Sequence, residues 1–177
     1  MVYILLADGF EEIEALEPPD IMRRAEIDVL TVAIGDKVVT GAHGIKVEAD
    51  ILMSDVDEES MDMLFLPGGM GHELLDASNE VHYLINKAHV DGKYIASICA
   101  APSILGKKGM LDGKNATCFP GYEKYLYGAK LSSEKVVVDG KFITAKGAGE
   151  AAEFGFKLVE IIKDKATADK LRGAMQY

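Results

Sequence analysis

Tyr94-Ile95-Ala96-Ser97-Ile98-Cys99-Ala100-Ala101-Pro102 sets the architecture of this chain. A short apolar run, 94–98, reads as a buried strand and passes without a spacer into a cysteine, two alanines and a proline. Pro102 suits the first turn of a helix, where a missing N–H does no harm, so a short helix is expected over 101–108. Upstream, Tyr3 to Leu6 reads as the first strand, followed by the loop Ala7-Asp8-Gly9-Phe10 and the acids Glu11, Glu12 and Glu14. A helix then runs through Ala25, which Pro18 and Pro19 are expected to break or kink. Val29 to Ile34 gives a second strand, and Met61 to Leu66 a third that ends in Pro67-Gly68-Gly69-Met70-Gly71. Between them, 38–40 and 45–49 alternate around Gly41-Ala42-His43-Gly44 as a small hairpin excursion. Leu84, Ile85 and Ala88 mark a helical face between Asn79 and Asp91.

Downstream, a strand is expected over Ala116 to Phe119, and 136–138 and 142–144 flank Asp139-Gly140, a strong two-residue hairpin signal. The last large helix, 150–162, carries Ala151, Phe154, Leu158 and Ile161 on one stripe, and Gly147-Ala148-Gly149 reads as a tight lead-in to it near the pocket rim. Alternation of strands with helices is the pattern of βαβ units, and it implies an α/β fold with a mostly parallel sheet covered on both faces.

The chain of 177 residues is 49% hydrophobic and 27% charged, which suits one globular domain, 1–177, with a single core. Its net charge of −10 argues against nucleic-acid binding, which draws on Lys and Arg to neutralise phosphates. Met1 to Asp8 lacks a charged leader and is too short for a membrane span. Two cysteines, Cys99 and Cys118, are too few for a disulfide scaffold and fit a reducing, cytoplasmic compartment.

In open α/β sheets ligands gather at the carboxyl ends of the strands. Three segments converge there: Asp8 to Glu14, Pro67 to Gly71, and Cys99 to Pro102. A cysteine on such an elbow points its sulfur outward, and the helix start behind it favours the thiolate, so a thiol pKa below about 8.5 is expected. The local pattern also fits a buried, inert cysteine, and Glu14 by itself reads as one more solvated acid in an acidic run.

Ala7-Asp8-Gly9-Phe10-Glu11-Glu12-Ile13-Glu14, Leu66-Pro67-Gly68-Gly69-Met70, Ala96-Ser97-Ile98-Cys99-Ala100-Ala101-Pro102 and Thr117-Cys118-Phe119-Pro120-Gly121 stand in the order in which the ThiJ/PfpI superfamily carries its motifs. More narrowly, the chain resembles the branch of the Parkinson-associated protein DJ-one and its bacterial relatives, over nearly its whole length. The resemblance implies a flavodoxin-like, doubly wound, mostly parallel sheet sandwiched by helices, and a homodimer. It also implies a nucleophilic or redox Cys99 whose sulfur is hydrogen-bonded by the carboxylic acid of Glu14, beside an anion pocket made by the amides of Gly69 and Ala100. A buried carboxyl facing a thiolate is pushed toward its neutral, donating form.

Two departures bear on mechanism. The position after the cysteine, a histidine in the intracellular-protease branch, is Ala100 here, and a pocket histidine of the DJ-one branch is replaced by Phe119. A Cys-His hydrolase needs an imidazole within reach of sulfur, and neither position supplies one. His82 and His89 read as a solvated helical face. His43, in the hairpin loop, and His72, after the glycine-rich turn, are placed where they could reach the pocket, which Gly68 and Cys118 would also line. Cys118, expected on the strand beside the elbow strand, is either a small core residue or a resolving thiol for a sulfenic acid. No Cys/His spacing suits a metal, and no cofactor is expected. The leading reading is a stress-response protein with a peroxide-oxidisable Cys99 and glyoxalase-like or deglycase-like handling of reactive aldehydes, its partner a small electrophile or peroxide. A cysteine hydrolase and a non-enzymatic redox-regulated chaperone are the alternatives.

Overall fold

The computed structural model describes residues 1–177. In chain order the elements are β1 (Val2–Leu6), α1 (Glu12–Arg24), β2 (Val29–Ala33), β3 (Val38–Thr40), β4 (Lys46–Glu48), β5 (Ile51–Leu52) and β6 (Met63–Leu66), then α2 (His72–Ala77), α3 (Asn79–Val90), β7 (Tyr94–Ile98) and α4 (Pro102–Lys107). The remainder is β8 (Asn115–Ala116), β9 (Lys130–Leu131), β10 (Val136–Asp139), β11 (Phe142–Ala145), α5 (Ala151–Ile162) and α6 (Lys165–Ala174). The main sheet has seven strands in the order β10-β11-β7-β6-β1-β2-β5. All are parallel except β10, which pairs antiparallel with β11.

Side chains alternate across a strand, and β1 shows what that does to the core. Ile4 and Leu6 join Ile21, Met22, Phe65, Phe154 and Leu158 in one apolar cluster, under α1 and α5. Tyr3 and Leu5 join Leu64, Leu84, Ile85, Ile104 and Leu105 in the other, under α3 and α4. Every residue of β1 and β6 is therefore buried, and each large apolar side chain withdrawn from water contributes about 1.5–3 kcal/mol. The chain steps from β1 outward to β2 and β5, then crosses back to β6 on the other side of β1. That reversal opens a crevice at the carboxyl ends of β1 and β6, next to the end of β7. No helix is long and apolar enough to cross a membrane.

The structure corrects the sequence reading in several places. Pro18 and Pro19 do not break α1, which is helical from Glu12 to Arg24. Both prolines are buried, and Pro18 packs against α5, where a Cβ added to Gly155 would lie 3.1 Å from Pro18 Cα and 2.9 Å from Ile21 Cδ1; close helix packing compensates for the missing hydrogen bonds. The strand expected over 116–119 is only β8, paired with β9 in a separate sheet, because Thr117 and Phe119 turn their amides to Thr144 Oγ1 and Cys99 O instead. Cys118 is thus not on a strand beside β7, whose neighbours are β6 and β11. The β10–β11 turn has Gly140 and Lys141 at its centre, since Asp139 already pairs with Phe142, and Gly140 takes the positive φ of +61° that such a turn requires. The short strand β5 and the helices α2 and α6 were not foreseen.

Candidate active site

β7 delivers Cys99 to the crevice, and neighbouring strands fix its backbone. The Cys99 N–H donates to Ala145 O (2.9 Å) at the end of β11, and the Phe119 N–H donates to Cys99 O (2.7 Å). So held, Cys99 keeps φ at +63°, a region that costs a non-glycine residue about 1–3 kcal/mol and persists only where the surroundings impose it. The residue is half-buried.

Glu14 reaches the same point from α1. Glu11 caps that helix, its Oε2 accepting from the Glu14 N–H (2.8 Å), which sets Glu14 on the inward side of the first turn. It is 1% exposed. Its Oε2 accepts from the Gly68 N–H (3.0 Å), and its carboxyl faces the Cys99 side chain across Gly68. Gly68 is obligatory: a Cβ there would lie 2.5 Å from Glu14 Oε2 and 2.6 Å from Cys99 Cβ. The loops of β1 and β6 are stitched together by Glu11 N–H to Gly68 O (3.2 Å) and Gly71 N–H to Gly9 O (2.9 Å). Between those bonds Gly69, at φ +75°, turns its amide, with that of Ala100, onto the Cys99 sulfur.

Electrostatics overturn one expectation. Burial first, then the facing charge of Glu14, push the Cys99 thiol up to about 12, while the amides of Gly69 and Ala100 pull the other way. A helix of six residues does not offset that desolvation, so the lowered thiol expected of a helix start is not found. Burial also raises the Glu14 carboxyl to about 7; the facing Cys99 thiol opposes this, the Glu11 charge reinforces it, and the amides of Gly68 and Ala148 limit it. Two groups this close titrate as a pair. Between about 7 and about 12 the pair carries one negative charge, held mainly on the carboxylate, with the proton on sulfur.

The remaining candidates separate cleanly. Phe119 is 47% exposed and stands at the rim against Gly147, where an added Cβ would meet its Cδ2 at 3.3 Å and Glu14 Oε1 at 3.8 Å. Cys118 packs in the apolar layer under α3 and α4 while Cys99 packs against the opposite layer. Burial, with Glu123 nearby, also pushes the Cys118 thiol up to about 12. None of the four histidines bonds the sulfur. His82 holds Asp76 O (2.7 Å) and Lys108 Nζ (3.2 Å), and exposed His89 lies beside Phe142. His72 is the first residue of α2 rather than a loop residue, and its Nδ1 lies 2.7 Å from Gly69 O.

His43 engages Glu12 through its amide (2.7 Å to Oε1) and its Nδ1 (2.7 Å to Oε2). Burial acts to raise the Glu12 carboxyl, but these bonds hold it below its ordinary value, and the same contact raises His43. This clamp fastens the β3–β4 hairpin over the start of α1, and Gly41 makes room for it, since a Cβ there would lie within bonding distance of Glu12 Oε1. Glu11, Glu12 and His43 also bring potential metal-ligating atoms within 4.8 Å of one another, a grouping that a search for Cys/His spacing passes over. Its carboxylates are already engaged by the His43 amide, the His43 ring and the Glu14 amide.

A flavodoxin-like sheet with a strained cysteine elbow, a buried acid on its sulfur and a glycine-lined crevice defines a class of thiol proteins rather than one reaction. The DJ-1/PfpI family profile matches residues 1–161, and the chain belongs to that family. DJ-1 homolog B of Arabidopsis thaliana is 37% identical over 178 residues, covering 98% of this chain, which spans only 41% of that relative's length. Protein dj-1beta of Drosophila melanogaster is 33% identical, covering 92% of this chain and 89% of its own. A deglycase of Pyrococcus abyssi is 31% identical, covering 92% of this chain and 99% of its own. Among solved structures, oxidized Toxoplasma gondii DJ-1 superimposes with a TM-score of 0.95 at 33% identity, covering 99% of this chain and 97% of that one.

Proposed function

We propose that Cys99 is a nucleophile toward reactive carbonyl compounds, in a glyoxalase-like or deglycase-like reaction that protects against carbonyl and oxidative stress. The observation that carries this is the pairing of Cys99 with a buried Glu14 whose carboxyl is poised near 7, where a general base works best at neutral pH. Glu14 takes the thiol proton as sulfur bonds to the aldehyde carbon of a 2-oxoaldehyde, and returns it to the oxygen to give a hemithioacetal. Moving a proton from the first carbon to the second through Glu14 gives a thioester, and water releases a 2-hydroxy acid and the free thiol. The sum is aldehyde plus water, with no external oxidant. The amides of Gly69 and Ala100 suit the oxygen as it gains charge. The names of deglycase relatives support this chemistry.

The same sulfur would meet peroxide with Glu14 as proton acceptor, becoming a sulfenic acid while peroxide is reduced to water. A hydrolase is disfavoured because every histidine is engaged elsewhere or remote. Exposed Ile13 and Ile45 leave apolar surface beside the site for a second copy of the chain, and two free thiols suit the cytoplasm. The test is conversion of methylglyoxal to lactate by the wild type, Cys99→Ala and Glu14→Gln. Turnover that survives loss of the thiol overturns the reading.

A further inference from the structure

His72 is nearly buried, 4% exposed, and has no part in the chemistry just described. Its Nδ1 sits 2.7 Å from the carbonyl oxygen of Gly69. A carbonyl only accepts, so Nδ1 carries the proton and the tautomer is fixed. The His72 amide donates to the same oxygen at 3.2 Å. Gly69 is therefore gripped twice from one side by one residue. On its other side its amide meets the Cys99 sulfur, and the backbone between is in the left-handed region, φ +75°. An added Cβ at Gly69 would lie 2.5 Å from both Glu11 N and Gly9 O, so the turn has little room to settle differently around its glycine. The Gly69 amide belongs to the 68–69 peptide, whose carbonyl accepts from the Glu11 N–H at 3.2 Å, while the Gly69 carbonyl belongs to the next peptide. The imidazole holds that second plane, and with both planes held the torsions of Gly69 between them are set.

From this geometry we infer that His72 is a positioning residue that aims the Gly69 amide at the Cys99 sulfur by donating Nδ1–H to the Gly69 carbonyl. The inference rests on the reading of that amide as part of the thiol's anion pocket. The ring stands edge-on to Tyr122, 5.3 Å between centroids, and its Nε2 has no protein partner yet is not sealed in the interior. It borders a cavity of about 540 Å³ between α2, α4 and the 121–125 segment, lined also by Glu73, Asp76, Lys107 and Tyr125. A proton arriving at Nε2 leaves the Nδ1–H bond intact, so the grip does not depend on the charge of the ring. The cavity gives small solutes a route to the place the ring occupies.

The test reads the thiol, not turnover. The rate of iodoacetamide alkylation at Cys99, followed by peptide mass spectrometry across pH, reports how readily sulfur takes negative charge. His72→Leu keeps bulk but loses the donor, and its profile is expected to move to higher pH, giving about tenfold slower alkylation at a fixed pH below the thiol's own range, less than the loss seen when such a donor is deleted outright. His72→Asn places an amide N–H where Nδ1 stood and should stay within about twofold of the wild type. In His72→Ala, added imidazole should restore the rate through the cavity, whereas 1-methylimidazole, which has no N–H when neutral, should not. Profiles for His72→Leu and wild type that superimpose overturn the inference. Equal losses in Leu and Asn, or equal rescue by both solutes, reduce His72 to a space-filling role and also overturn it. Because the readout is alkylation, a protein that fails to convert methylglyoxal refutes the proposed reaction while the His72 result stands or falls by itself.

Discussion

Replacing Glu14 by Gln removes a negative charge beside Cys99 and keeps a hydrogen-bonding group of nearly the same shape. A Cβ built on Gly68 would lie 2.5 Å from Glu14 Oε2 and 3.1 Å from Cys99 Sγ, which bounds the separation of the two atoms at about 6 Å. One unit charge at that distance, with an effective dielectric of about 20, is worth about 3 kcal/mol, or about two pK units. The thiol, pushed up to about 12 in the native pair, therefore falls to about 10 in Glu14→Gln. In the wild type, thiolate formation should rise until Glu14 ionises near 7, flatten as the new carboxylate resists a second charge, and climb again above about 9. In the variant it rises tenfold per pH unit to about 10 with no flat region. Alkylation of Cys99 should thus be unchanged near pH 6 and about fiftyfold faster in the variant near pH 9. Methylglyoxal turnover should instead fall by about 10²–10⁴, the usual worth of a general base. A variant that alkylates no faster than the wild type near pH 9, or a wild-type profile without a flat region, refutes the shared-proton description of the site.

The raised carboxyl has a stability consequence of definite sign. Glu14 ionises near 4.5 when unfolded and about 7 when folded, so the stability it confers is fully present below about 4.5 and is lost as pH rises through about 7, by about 3 kcal/mol in all. Denaturant titrations of wild type and Glu14→Gln at both ends of that window should show the variant gaining on the wild type as pH rises; a constant difference refutes this. Gly68→Ala should abolish turnover, since its Cβ would collide with Glu14 Oε2 and Cys99 Cβ, and should lower stability by about 1–3 kcal/mol; wild-type kinetics in that variant would show that the crevice relaxes. Gly155→Ala strains the seam with Pro18 and Ile21, costing about 1–3 kcal/mol in the denaturant midpoint with turnover retained. His43→Ala should speed hydrogen exchange across 38–48 by loosening the Glu12 clamp, and unaltered exchange there would deny that role.

How much of this was legible beforehand follows from the range of the forces involved. Strands β1, β6 and β7 could be read from sequence because each is a short, mostly apolar run that the fold buries on both faces, a local property that needs no partner to be recognised. Val136 to Ala145 was legible as a hairpin, yet its turn fell one residue late, because cross-strand register belongs to the pair and not to either strand. Pro18 and Pro19 misled because propensity weighs a residue against its own helix, whereas Gly155, more than 130 positions away, decides whether α5 can close over the first of them.

The site divides along the same line. Cys99, Glu14, Gly68 and Gly69 could be found by motif, since each sits at the end of a legible strand or the start of a legible helix. The sign of the thiol's shift could not. A helix start is visible in sequence, but the burial and the single facing carboxylate that outweigh it exist only once the first turn of α1 brings Glu14 to Gly68 and Cys99. The same holds for His72, which the sequence placed after the glycine-rich turn, where it could reach the pocket. Folding turns its donor away from the sulfur and onto a backbone carbonyl, where an imidazole can serve the thiol only by fixing the amide that faces it. Chemistry at this elbow is therefore governed less by which titratable residues are present than by which of their atoms the fold leaves free.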